Sequence, residues 1–237
     1  MNRMDMWRPG LCLTLALISG SCLADGYGQY QLDRLVRIDR QQERSRIEID
    51  YLDLWLAELA SYVQTPGRQF ESDEERQRAK ADLRALESIV GLAVLEPDSA
   101  PLVKRCALLA DIAYHFGLDG AAQRADLAFN RWLLLAPQES EVHYHYGRFL
   151  LTSGQYPRAV FYLKNAFSQG VLDAELLLGM ALLKLGEREE AESYLRHYQL
   201  THPSDARVLS LLQQSQQMDV VAKPQAKSQA SPYVNAP

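Results

Sequence analysis

Gly120-Ala-Ala-Gln-Arg-Ala125, Gly154-Gln-Tyr-Pro-Arg-Ala159 and Gly186-Glu-Arg-Glu-Glu-Ala191 share one pattern, a glycine followed five residues later by an alanine. The glycines stand 34 and 32 residues apart. A period of this length signals a supersecondary unit repeated along the chain, each copy burying its apolar side against the next. Every unit reads as helix, tight turn and helix.

Working outward from those turns gives three units, 106–139, 140–171 and 172–205. Each carries a small residue in the first helix (Ala113, Gly147, Gly179) and another in the second (Ala125, Ala159, Ala191). Large residues surround them: Ile112, Tyr146 and Leu178, then Phe116, Leu150 and Leu182, and in the second helix Phe129, Leu163 and Leu195. Small residues let two antiparallel helices approach closely, and the large ones fill the space around that contact. These residues resemble the tetratricopeptide repeat family. Pro137 and Pro203 occupy the family's closing proline, whereas the middle unit has Val171 there and is two residues shorter.

The resemblance implies an all-α fold, a right-handed superhelical solenoid of antiparallel helix pairs. It also implies a concave groove lined by the first helices. The corresponding residues are Ala107, Ala110, Tyr114 and Gly117, then Glu141, Tyr144, Arg148 and Leu151, then Asp173, Leu176, Met180 and Leu183. His145 borders them. The expected partner-binding surface is therefore Tyr114, Tyr144, His145, Arg148, Leu176, Met180 and Leu183, with Arg148 its one cation. Tyr, Met and Arg are the side chains that interfaces favour. A second expectation competes, that Leu176, Met180 and Leu183 pack against the neighbouring unit or the final helix. The family's clamp for a C-terminal carboxylate is missing, because Ala110, Tyr114, His145, Asp173 and Leu177 stand where it needs Lys, Asn and Arg.

Upstream, 47–97 reads as a degenerate first helical pair. Tyr51, Leu52, Trp55, Leu56, Leu59 and Val63 form one helical stripe. Ser72 and Glu75 have the spacing of a capping box, and Leu83, Leu86, Ile89, Val90 and Val94 form the next stripe. Ala85 and Pro97 are 12 apart, as are Ala125 and Pro137, but Ala85 to Ala125 is a step of 40. Residues 25–46 read as a polar, partly helical lead that opens on a flexible Gly26-Tyr-Gly-Gln-Tyr30. At the other end, a polar capping helix over 206–221, starting near Ser204, precedes a disordered tail, 222–237.

The first 24 residues read as a secretory signal peptide: Arg3 and Arg8, then the apolar run Leu11–Ile18, then small residues to Ala24. The run is too short for a bilayer core of about 30 Å. Ser19-Gly-Ser-Cys22 also resembles a bacterial lipoprotein box, with Ser19 where an aliphatic residue is usual, so removal of Cys22 and its lipidation both stand as readings. The expected location is periplasmic, or tethered to the outer membrane if Cys22 is lipidated, with membrane contact only through that anchor. Cys106 is then the one cysteine inside the fold.

The formal net charge of −5 and the lack of any Lys and Arg cluster argue against nucleic acid. His143 and His145 point about 200° apart on a helix and so do not make a metal pair. No nucleophile elbow, zinc motif or phosphate loop is present. The expectation is a non-enzymatic scaffold without metal or cofactor that binds a protein or peptide of the bacterial envelope. The alternative is an oligomeric structural protein assembled through its N-terminal helices.

Overall fold

The computed structural model describes residues 27, 28, 30–39, 44–94 and 100–222. The expected signal, Cys22 and the tail beyond Ala222 lie outside the described residues. A short helix α1 (Leu32–Leu35) leads into a hairpin of β1 (Val36–Asp39) and β2 (Arg44–Ile47). Nine further helices follow among the described residues: α2 (Ile49–Gln64), α3 (Asp73–Ala93), α4 (Ala100–His115), α5 (Ala121–Leu135), α6 (Ser140–Thr152), α7 (Tyr156–Ser168), α8 (Ala174–Leu185), α9 (Arg188–Thr201) and α10 (Ala206–Ala222).

From α4 onward, sequential helices pack as neighbours, and α4 also meets α6, α6 meets α8 and α8 meets α10. The second helices of successive units make no comparable approach. The stack therefore bends with α4, α6, α8 and α10 on its inner side, as in a solenoid of helix pairs.

The small residues explain the close pairing. A Cβ on Gly147 would lie 2.6 Å from Leu163 Cγ, and one on Gly179 would lie 2.4 Å from both Cγ and Cδ2 of Leu195. Alanine in a helix interior normally gains about 1 kcal/mol over glycine, but overpacking of this kind costs about 1–3 kcal/mol. Gly179→Ala is expected to lower the urea midpoint by a net loss of about 1 kcal/mol; a raised midpoint would show that Leu195 yields freely.

The turns are less uniform than the glycine spacing suggests. Gly154 (φ +78°) and Gly186 (φ +81°) end their helices in the left-handed region. The following residues close the turn, Gln155 N–H to Leu150 and Glu187 N–H to Leu182. In the first clear unit Gly117 plays that part, with Leu118 N–H bonding Ala113, while Gly120 starts the next helix. The 40-residue step is also accounted for in part, because α4 begins at Ala100 and adds turns ahead of the expected unit boundary.

The N-terminal lead differs most from expectation. Val36-Arg37-Ile38-Asp39 alternates with period two, and it pairs antiparallel with Arg44-Ser45-Arg46-Ile47, Val36 opposite Ile47. Val36 and Ile47 both pack against the core, so the lead, expected as a polar, partly helical stretch, is helical over α1 and continues as a hairpin.

Nor is the segment before it a flexible lead. Tyr27 is buried at 3% exposure; its hydroxyl donates to Asp82 of α3 at 2.9 Å and accepts from Trp55 Nε1 of α2 at 2.7 Å. Gly28 N–H bonds Glu58, Gln31 N–H bonds the Tyr51 hydroxyl, and the Tyr30 ring stacks on Trp55 at 4.7 Å. Tyr27, Gly28, Tyr30 and Gln31 thus form a strap that bridges α2 and α3. Those two helices lack the close approach of the later pairs, and Tyr27 lies between them.

Two caps complete the picture. Ser72 Oγ accepts from Glu75 N–H at 3.2 Å, but the Glu75 carboxylate returns to Glu71 N–H rather than to Ser72. The final helix is capped by Asp205, which accepts from Arg207 N–H at 2.9 Å, one residue past the expected Ser204. Bonding to Arg207 holds the Asp205 carboxyl down at about 2.

Candidate functional site: the concave face

The inner helices bring Tyr114, Tyr144, Arg148 and Met180 to one side of the stack, but two of the expected groove residues are taken out of it. Leu176 (4% exposed) and Leu183 (6%) join Leu182, Leu195, Val208 and Leu212 in one buried cluster. The final helix covers them, because α10 packs as the inner helix of a further unit and lays Val208 and Leu212 on α8. The expectation of packing against the final helix therefore holds for these two leucines. Met180 remains half-buried between this cluster and the main core. Ala107, Ala110 and Leu151 are buried too.

Arg148 is not a free cation. Its Nη2 donates to Asp111 Oδ2 at 2.7 Å, and Asp111 is almost fully buried. Burial raises the Asp111 carboxyl, but His115 at 3.5 Å and Arg148 more than offset it, so the group ends below its ordinary value. Lys104 pairs with Glu141 at 2.5 Å, and Arg105 grips Asp53 with two bonds of 2.6 Å. The inner face is therefore laced by cross-helix pairs that occupy Lys104, Arg105 and Arg148. Two of them, Lys104 with Glu141 and Asp111 with Arg148, join residues 37 apart, one repeat plus about one turn of helix. Glu87 and Arg124 on the outer helices repeat that separation. Sequence reasoning missed Asp111, and this spacing is the signal that could have found it.

His145 is half-buried, its side chain 19% exposed. Its ring lies on Trp132 of α5 at 6.1 Å. His143 bonds the Pro137 carbonyl at 2.9 Å and faces Tyr162, so the two imidazoles turn to different neighbours. Burial lowers the His145 pKa, against the pull of Glu141, with Arg148 and Asp111 also facing the ring. Glu141 is held down to about 2, first by its contact with His145 and then by Lys104.

A histidine depressed in the fold takes its proton more readily when unfolded. Its contribution is intact above about pH 6.5 and declines as the pH falls below that value. His145→Gln is expected to flatten the stability profile between about pH 7 and 5, as followed by urea denaturation; an unchanged slope would remove His145 as its origin.

What remains open is aromatic and apolar apart from the exposed Asp173. Tyr114 sets its ring edge on Phe149 at 5.5 Å and donates to the Thr152 carbonyl at 3.3 Å. The Tyr144 phenol is pushed up by burial, with Arg148, Asp173 and Arg207 around it.

Helix pairs stacked in register, with an inner face made by every first helix, define a helical-repeat scaffold. Residues 150–215 match the family model described as tetratricopeptide repeat. Over those residues the chain is similar to tetratricopeptide repeats. Among solved structures it is similar to MamA, at a TM-score of 0.51 and 14% identity over 65% of this chain and 88% of that one. A second similar structure is the assembly chaperone of RpL4 (Acl4, residues 1–338), with TM-score 0.43, 12% identity, and 73% and 68% coverage. At such identities MamA supports the fold alone. A comparison with curated proteins finds no match.

Proposed function

We propose that the protein is a non-enzymatic adaptor of the bacterial cell envelope that holds a protein or peptide segment along its concave face. The observation that carries this reading is the internal pairing of Lys104, Arg105 and Arg148. It leaves Tyr114, Tyr144 and Met180 as the accessible chemistry, a surface suited to an extended segment of low charge. Secretion follows from the Arg3 to Ala24 layout, and lipidation at Cys22 would tether the adaptor to the outer membrane.

The rival, assembly through the N-terminal helices, loses its sticky surface: Leu52, Trp55 and Leu59 are wholly buried within the chain. A photoreactive residue at Tyr144 should cross-link one envelope partner in intact cells, and Tyr144→Ala with Met180→Ala should abolish that capture while helical circular dichroism persists. Unchanged capture would remove the concave face from consideration. Arg148 is left alone in this test because its loss would strand Asp111.

A further inference from the structure

Strand pairing makes a cluster of positive charge that the sequence spreads out. Between 34 and 46 the chain holds five arginines against two acids, although its net charge is −5. Pairing of β1 with β2 sets Arg37 directly opposite Arg46. The adjoining pair, Val36 and Ile47, packs against the core, so the alternation of strand faces turns Arg37 and Arg46 away from it, and both are exposed. The register also sets Asp39 opposite Arg44, a position that adds no net charge.

Like charges directly opposite on a sheet repel, and the fold relieves this pair only in part. Glu48 reaches Arg37, 3.2 Å from its Nε, yet the arginine side chain stays 77% exposed. Arg46 has no ion pair among the described residues. A phosphodiester lying between the two guanidiniums would end the repulsion and accept hydrogen bonds from both, the planar recognition at which arginine excels.

The shape of the charge says which phosphodiester. The hairpin stands at one end of the stack, its strands packing mainly on each other and on α1, and the chain as a whole is acidic. A long polyanion would be repelled as it ran onto the acidic body, whereas a flat surface can meet the hairpin alone. Cys22 stands 14 residues before Val36, a span of up to about 50 Å, so a chain tethered there keeps the hairpin within reach of phospholipid headgroups. We propose that the outer face of the hairpin rests on an anionic phospholipid surface, with Arg37 and Arg46 sharing a headgroup phosphate. From the envelope reading this takes only the nearness of a membrane, and Tyr144 and Met180 have no part in it.

The test is co-sedimentation of the purified mature chain, free of lipid, with vesicles of phosphatidylcholine alone or with about 30% phosphatidylglycerol, at about 0.1 M salt. The anionic vesicles should take up at least about fivefold more protein than the neutral ones, and about 0.5 M salt should erase the difference. Arg46→Gln should cut uptake about fivefold while its urea midpoint holds or rises, because a like-charge pair has gone. Arg84→Gln with Lys184→Gln, two exposed positions elsewhere, should cut uptake less than about twofold. Equal uptake by both kinds of vesicle would overturn the proposal, as would a loss from that control pair matching the loss from Arg46→Gln. A fallen midpoint would make Arg46 a structural residue and overturn it too. Binding to poly-glutamate in place of the vesicles would overturn it in favour of an acidic polypeptide. Tyr144→Ala with Met180→Ala should be taken up like wild type; lost uptake there would overturn the proposal by moving the contact to the concave face. A failure on vesicles leaves the Tyr144 cross-link unaffected, so the two readings fall separately.

Discussion

Arg148→Ala should cost the fold about 3 kcal/mol, read as a lower urea midpoint, far more than any exposed charge in the chain. The reason is what it leaves behind. Asp111 is 1% exposed, and its Oδ1 has only the long 3.5 Å contact with His115, so losing the guanidinium leaves a buried carboxylate with only His115 nearby. Replacing both partners, Asp111→Leu with Arg148→Leu, should recover most of the loss, since apolar substitutes for a buried pair are often neutral. Lys104→Ala removes an exposed partner of Glu141 and should cost less than about 1 kcal/mol. Equal losses for Arg148→Ala and Lys104→Ala would show that Asp111 is hydrated rather than buried.

Tyr27→Ala is the second large effect, about 3 kcal/mol, because an aromatic side chain with almost no exposure leaves a cavity the helices cannot close. The damage should be local. Hydrogen exchange is expected to quicken in α2 and α3 while α8 and α9 keep their protection, since Leu195 and its neighbours belong to a separate buried cluster. Tyr27→Phe keeps the ring but strips Asp82 and Trp55 Nε1 of their shared hydroxyl, a loss of about 1–2 kcal/mol. Wild-type protection of α2 in Tyr27→Ala would mean that the strap is not part of the core.

The repeats were legible because their physics is local. Gly179 above Leu195 and Gly147 above Leu163 are steric requirements, so the small residue recurs at a fixed distance from the large one. The concave face was legible only in part. Helical geometry placed Tyr144 and Arg148 on the inner side, but whether Arg148 was free depended on Asp111, a residue from the preceding unit. Leu176 and Leu183 turned on whether α10 would pack as another inner helix, which its glutamine-rich sequence obscured.

The hairpin and strap were hidden for another reason. Tyr27 and Tyr30 have no periodicity, and their burial rests on Trp55 and Asp82, residues 28 and 55 positions away. The alternation of Val36 to Asp39 was present in the sequence, yet it is short, and its partner Arg44-Ser45-Arg46-Ile47 is too polar to show a period.

The 37-residue separation of the cross-helix pairs also constrains how this chain could change length. Glu87 with Arg124, Lys104 with Glu141 and Asp111 with Arg148 each join one helix pair to the next. Copying a whole unit and inserting it among the repeats would preserve every small-to-large contact inside each pair, yet it would put a foreign neighbour beside Asp111 or Glu87. The units of this protein are alike in shape but not interchangeable in order, so growth by duplication at its N-terminal half would be penalised where growth ahead of the final helix would not.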